Sequence, residues 1–378
     1  MTGREKILAA LSPAGTPHAP IVLCYPEIFM RDQWEHITRE PWWMMHTGDD
    51  VEVGIRVSRD LQAVTGEDRV RLWQSPPHRD RGKFRIEGLD ATTARKIDLA
   101  TGQVEILRRP PKGGFVSQKD AGLGVAPVIT SREQIDELLP LPPEETAATL
   151  ADGRDERPRR TVRELGEYMP WTQINTPFDP LPYIWGFDGL MMACCDSPEL
   201  VEYGAQRSLA VNLRKVATWR LLGAELLWIQ ECMTDQISPA QYRRFNLPYL
   251  QQLTAAIRRA GMYGIYYYCG NPNDRLELLL ESGAHALALE ESKKGFDIDV
   301  AEIAAKVDGR MALLGNLDAM VLLERGPVSA IRTEVARQLS AGRRNSGRFI
   351  IGIGSPVTPD TPLAHLRAVA DAVHELAP

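Results

Sequence analysis

Cysteine is scarce in this chain: five among 378 residues, Cys24, Cys194, Cys195, Cys232 and Cys269, odd in number and irregularly spaced. That argues against a disulfide framework and for reduced thiols that act singly if they act at all. Neither a Cys-x-x-Cys pair nor a histidine-rich tract is present, so spacing alone offers no self-contained zinc site. No apolar run approaches the roughly 18 residues of a membrane span. The opening MTGREKILAAL sets charges beside a short apolar stretch and lacks the apolar segment of a signal peptide. A cytoplasmic location without membrane contact is expected. Lys and Arg do not cluster among aromatics, the formal net charge is −6 and the pI is near 5.8, all of which argue against a nucleic-acid partner. No GxGxxG follows a strand-like run, which weakens a dinucleotide-binding reading.

What is present is ordinary globular material, 44% hydrophobic and 25% charged. The length suits one (β/α)8 barrel of the TIM type, which takes about 250 residues before insertions, with an N-terminal helical extension. Residues 1–378 are therefore expected to form a single domain. Residues 3–11 read as a short helix and APIVL (19–23) as the first strand. The tryptophan-bearing stretch 31–73 has helical spacing, and its Trp42 and Trp43 are expected to cap the mouth of the site or to receive a partner. From 80 to 116, KFRIEG and then ARKIDLATGQVEILRR alternate around a turn at Ala100-Thr101-Gly102, which predicts an inserted β-hairpin. Residues 138–160, rich in Pro, Glu and Arg, read as an exposed connection, although Pro140, Pro142 and Pro143 could equally bound a short helix.

Beyond residue 170 a unit repeats: an apolar run, a polar loop, an amphipathic helix. The runs are WTQINTP (171–177), AELLWIQE (224–231), YGIYYYC (263–269), HALALE (285–290), MALLGNL (311–317) and RFIIGIG (348–354). Near-continuous apolar character suits strands buried on both faces, and the helices supply the crossovers that parallel strands need. An open doubly wound sheet would use the same alternation, so periodicity alone leaves closure open.

In a parallel barrel the loops after the strands build the active site. Those ends are polar here: Asn175, Glu231 and Asp235, Tyr267 and Cys269, Glu290 and Glu291, Asn316 and Asp318, and Ser355. The plain alternative for each is structural. Asn175 and Asn316 can satisfy loop backbone groups, Cys269 can be a small buried hydrophobe, and one of Glu290 and Glu291 can face solvent or Lys293. Six polar strand ends in succession nevertheless predict one shared pocket.

Several segments carry a family resemblance: REKILAALSPAGTPHAPIVL, WGFDGLMMACCDSPELVE, ISPAQYRRFNLPYLQQLTAAIRRAG, YYYCGNPNDRLELLLESGAHALALEES, MALLGNLDAM and GIGSPVTPDTPLAHLRAVADAV. Together they resemble the uroporphyrinogen decarboxylase superfamily, which includes corrinoid-dependent methyltransferases. The resemblance implies a distorted barrel with a funnel-shaped site. Its thiol-methylating members hold zinc through residues that correspond to Tyr267, Cys269, Glu290 and Ser355. Cys269 and Glu290 keep their type as metal ligands. Tyr267 and Ser355 stand where zinc would have a His and a Cys, so a tightly bound zinc is not expected, although Cys232 or Glu231 could supply a third ligand. The decarboxylase branch's N-terminal arginine segment finds only a faint echo in Met30-Arg31-Asp32-Gln33.

The reading that reconciles these pieces is methyl transfer from a corrinoid protein to a small acceptor such as tetrahydrofolate, with no tightly bound cofactor. Glu231, Asp235, Tyr267, Cys269 and Glu290 are the catalytic candidates. Asn175, Asn316, Asp318, Ser355 and Tyr268 are the candidates for holding the substrate, with carboxylates and amides pairing to the pterin edge. Of the three consecutive tyrosines 266–268, alternation lets only some face the ring. A lyase acting on a carboxylated tetrapyrrole or smaller acid, and a zinc-dependent thiol methyltransferase, remain alternatives. A homodimer rests on the resemblance alone.

Overall fold

Runs of apolar, often β-branched residues become strands buried on both faces once helices cover one side and neighbouring strands' side chains the other. In the computed structural model, which describes residues 1–46, 49–113, 128–292 and 295–377, eight such strands lie parallel. They are β1 (Ile21–Val22), β2 (Arg69–Arg71), β6 (Met169–Asn175), β7 (Leu226–Glu231), β8 (Tyr263–Tyr268), β9 (Ala286–Leu289), β10 (Ala312–Leu314) and β11 (Phe349–Gly352). Their order is β1-β11-β10-β9-β8-β7-β6-β2, which brings β1 and β2 to either side of one seam. The seam is stitched by side chains. Asp68 accepts from the Ile21 N–H at 2.7 Å while its own N–H donates to the Ile21 carbonyl at 2.9 Å. Glu67 accepts from the Leu23 N–H at 3.2 Å, and the Arg69 guanidinium donates to the Leu23 carbonyl. The sheet is thus a nearly closed barrel, the fold expected from the length and the family resemblance, and it settles the closure that the alternating pattern left open.

Strand alternation sorts the side chains. Trp171, Trp228, Ile265, Tyr267 and Leu314 fill the barrel, while Ile174, Ile229, Tyr266, Tyr268 and Leu313 pack outward against helices. The helix Gly3–Leu11 closes the N-terminal end, its Ile7, Ala10 and Leu11 joining the interior cluster. Outer helices bury one stripe each. In Leu247–Arg259 the stripe is Leu250, Leu253, Thr254 and Ile257, the spacing of a single helical face.

The strand that the sequence reading missed is β2. Two arginines in RVR conceal it, yet Arg69 is wholly buried in the barrel beside Trp171 and Trp228. The expected hairpin is a three-stranded antiparallel sheet: β3 (Phe84–Gly88), β4 (Thr93–Asp98) and β5 (Val104–Arg108). KFRIEG supplies the extra strand because Asp90 shapes a second turn, accepting from the N–H groups of Thr92 (2.7 Å) and Thr93 (2.8 Å). Residues 114–116 of the expected hairpin, and Lys293, lie outside the described residues. Ile86, Ala94 and Leu107 cover Trp34, Trp42, Val53 and Val57. Trp42 is therefore buried beneath this sheet and Trp43 packs against Gly88, so the pair does not form the expected exposed cap. Short helices Ala147–Leu150 and Glu156–Glu164 occupy part of the 138–160 connection. Among the described residues no helix is long and apolar enough to cross a membrane.

Candidate active site

The inward positions at the C-terminal strand ends form the barrel mouth. Tyr25 follows β1 with a left-handed backbone (φ 49°, ψ 60°) immediately before Pro26. Its ring meets Tyr267 edge-on at 5.8 Å, and Tyr267 lies 5.0 Å from the Trp228 ring. The Tyr267 hydroxyl donates to the Gly354 carbonyl at 2.8 Å. After β8, the Cys269 N–H donates to the Glu231 carbonyl at 2.8 Å, which sets Cys269 beside Cys232, Sγ to Sγ 2.9 Å. Burial pushes the thiol of Cys269 and the phenols of Tyr267 and Tyr25 well above their ordinary pKa values. This side of the mouth is accordingly uncharged at neutral pH.

Opposite stand two arginines, each supplied with its own carboxylate. Arg69 pairs with Glu67 at 2.5 Å and lies over Trp171, 3.8 Å from the ring centroid. Arg71, nearer the rim, pairs with Glu27 and lies over Trp73 at 4.3 Å. On β6 and β7, the Gln173 amide donates to the Gln230 carbonyl oxygen. The third side of the mouth is acidic. Burial first, and then the neighbouring thiol and carboxylate charges, Glu290 among them, hold up the Cys269 pKa, and Ser355 donates to Glu291 at 2.6 Å. Gly354 has to be glycine here, because a Cβ would fall 2.2 Å from the Glu291 nitrogen.

Of the residues singled out in the sequence, Tyr267, Cys269, Glu290 and Ser355 gather at this mouth. The others serve the loops. Glu231 is wholly buried on the outward side, accepting from the N–H groups of Met233 (2.8 Å) and Thr234 (3.0 Å) and from the Thr176 hydroxyl. Burial, then the nearby Asp179 carboxylate, raises its pKa to about 8. Asn175 donates to Asp179, which accepts from the Cys232 N–H at 3.0 Å. Asp235 accepts from the Asn271 N–H at 2.9 Å and from the Tyr268 hydroxyl at 3.4 Å, and Tyr268 belongs to the helix-facing layer. Asn316 donates to the carbonyls of Glu290 and Ile298, both at 3.0 Å. Asp318 caps the turn that follows it, accepting from Met320 and Val321 N–H groups at 2.8 and 2.6 Å. Asn316 and Asp318 line a surface cleft of ≈ 580 Å³ with Arg337 and with Glu291, which it shares with the mouth. The expectation of one pocket fed by six strand ends is corrected to four residues at the mouth, because strand parity and unpaired loop N–H groups claim the rest.

Among the described residues no three His, Cys, Asp or Glu side chains are grouped to hold a metal ion. For the expected ligand Cys269, the structure supplies Cys232 as its thiol neighbour. The sequence reading missed Tyr25, Arg71, Gln173 and Gln230 as mouth residues. A signal existed for the glutamines: each is a polar residue at an inward parity, two positions after a tryptophan.

The sequence model of the family described as "Uroporphyrinogen decarboxylase (URO-D)" matches residues 118–376. The uroporphyrinogen decarboxylase of Ectopseudomonas mendocina is 32% identical over 159 residues, 41% of this chain and 42% of that protein. The enzyme of the same name from Xanthomonas euvesicatoria is 28% identical over 188 residues, 48% of this chain and 51% of that one. The matches thus span about half the length of these relatives. Among solved structures, a methyltransferase from Methanosarcina mazei shares the fold over 99% of both chains, with a TM-score of 0.66 and 19% identity. With the barrel and the family match in agreement, the chain belongs to the uroporphyrinogen decarboxylase (URO-D) family.

Proposed function

We propose that this protein is a methyltransferase that moves a methyl group from a corrinoid protein to a small acceptor, with tetrahydrofolate as the first acceptor to test. The observation that carries the reading is the character of the mouth. Thiols and phenols there are uncharged, and both arginines are already matched by Glu27 and Glu67. A porphyrinogen with several carboxylates calls for unmatched basic groups, whereas methyl transfer calls for orientation and exclusion of water. The full-length likeness to a methyltransferase supports the same side.

A corrinoid on a partner protein supplies an electrophilic methyl group. This chain's residues have the remaining work. The Gln173–Gln230 pair and Tyr25 orient the acceptor, the floor of Trp171, Trp228 and Tyr267 keeps water out, and Glu290 and Glu291 receive the proton that the acceptor nitrogen loses as its lone pair bonds the methyl carbon, whose bond to the corrinoid would break with the electron pair left on the corrinoid. Two buried polar atoms in this floor, Gln173 Oε1 without a hydrogen-bond partner and the Tyr25 hydroxyl with only the Cys232 thiol beside it, fit a ligand with both an acceptor and a donor.

The test is incubation of the purified protein with methylcobalamin and tetrahydrofolate, with mass spectrometry for methyltetrahydrofolate. Enzyme-dependent product is expected. Carbon dioxide release from a porphyrinogen with no methylated product would replace this reading with the lyase.

A further inference from the structure

We propose that Tyr25 is the group through which the barrel mouth grips its substrate, the phenol hydroxyl donating a hydrogen bond to a carbonyl or carboxylate oxygen of a small organic molecule. The inference rests on the mouth being the active site, as read above, and is independent of whether the chemistry is methyl transfer.

Two unfavourable features meet at this one residue. The first is its backbone. Among the described residues, three that are not glycine have positive φ: Tyr25, Asp308 and Ser346. Asp308 ends the helix Val300–Val307 and Ser346 follows the end of Val328–Arg344, where left-handed residues are common. Tyr25 opens a helix instead, makes no side-chain cap bond and precedes a proline, which further narrows its allowed backbone. Such strain costs on the order of 1–3 kcal/mol and persists where the surroundings hold it for a purpose.

The second feature is the hydroxyl. It is buried with no nitrogen or oxygen partner among the described residues, and its titratable neighbours are the thiols of Cys24, Cys232 and Cys269, of which Cys232 is in hydrogen-bonding contact and sulfur is a weak partner. Phenylalanine would fill the same space and keep the edge-on contact with Tyr267 without an unsatisfied oxygen. A half-buried phenol is thus held, at a backbone cost, with its hydroxyl buried in the mouth and, among the described residues, no better partner than the Cys232 thiol. Arg71, whose Nη1 is taken by Glu27 while its Nε lacks a hydrogen bond, and Gln173, with a free Oε1, belong to the same end of the barrel. They add one donor and one acceptor, which suits an oxygen acceptor flanked by an N–H.

The experiment compares the wild-type chain with Tyr25→Phe. Urea unfolding reads the structural role: the midpoint of Y25F is expected to equal or exceed that of the wild type, because only a weak contact with the Cys232 thiol is lost. Isothermal titration with tetrahydrofolate and with benzoate reads the binding role, and about a tenfold weaker affinity of Y25F for whichever probe the wild type binds is expected from one lost hydrogen bond. A lower midpoint, unchanged affinity, or a wild-type protein that binds neither probe would each overturn the proposal. Binding that weakens in Y25F while methylcobalamin yields no product would leave the role of Tyr25 intact and remove only the methyltransferase reading.

Discussion

Glu231 sits where water does not reach, and its carboxyl group is raised to about 8 by burial and then by Asp179. The folded state therefore holds the proton more tightly than the unfolded chain, whose value is near 4.5. Stability from this site is fully present below the unfolded value and is lost as pH rises through the folded one. The melting temperature is expected to fall between pH 4.5 and about 8. Glu231→Gln, which keeps an acceptor for the Met233 and Thr234 N–H groups, is expected to flatten that slope. A wild-type profile already flat across the window, or one that E231Q leaves unchanged, would place the proton elsewhere. At the same scale, Tyr267 and Tyr268 show what a sequence can say of a single residue. Period-two alternation states that neighbours face opposite ways, but only the packed barrel says which of them faces in.

At the scale of elements, the seam between β1 and β2 is the weak point of the barrel, because side chains there replace part of a strand ladder. Asp68 is its main stitch, accepting from Ile21 and lying 3.5 Å from Lys6. Asp68→Ala leaves the Ile21 N–H buried and unpaired, with an expected loss of about 1–3 kcal/mol in urea unfolding. Asp68→Asn keeps an oxygen for that N–H, so it should lose clearly less. Equal losses in the two variants would mean that charge, and not the hydrogen bond, holds the seam. The strands from β6 to β11 are readable because each is an uninterrupted apolar run followed by a helix. β2 is not, because its arginines are neutralised and stacked by residues distant in the chain, Glu27, Trp171 and Trp228.

For the whole molecule, the net charge of −6 and the pairing of both mouth arginines give the proposed reading a prediction about polycarboxylates. A carboxylated porphyrin is expected to bind more weakly than tetrahydrofolate in equilibrium dialysis of the intact protein at physiological salt. The reverse order would favour the lyase. The sequence by itself determined the alternation of strand and helix, and with it a parallel sheet, because a buried parallel strand must be apolar along its length and must be joined through a helix; closure into a barrel was decided by the tertiary structure. It also carried the family segments and four residues of the mouth. The tertiary structure alone decided which polar residues meet. Whether a side chain at a strand end enters the barrel or turns back to satisfy a loop depends on strand parity, register and the position of the next unpaired N–H. Those are relations between segments far apart in the chain. Glu231 and Asn316 were claimed by their loops for that reason, and Tyr25 was brought to the mouth by a backbone turn that no local pattern announces.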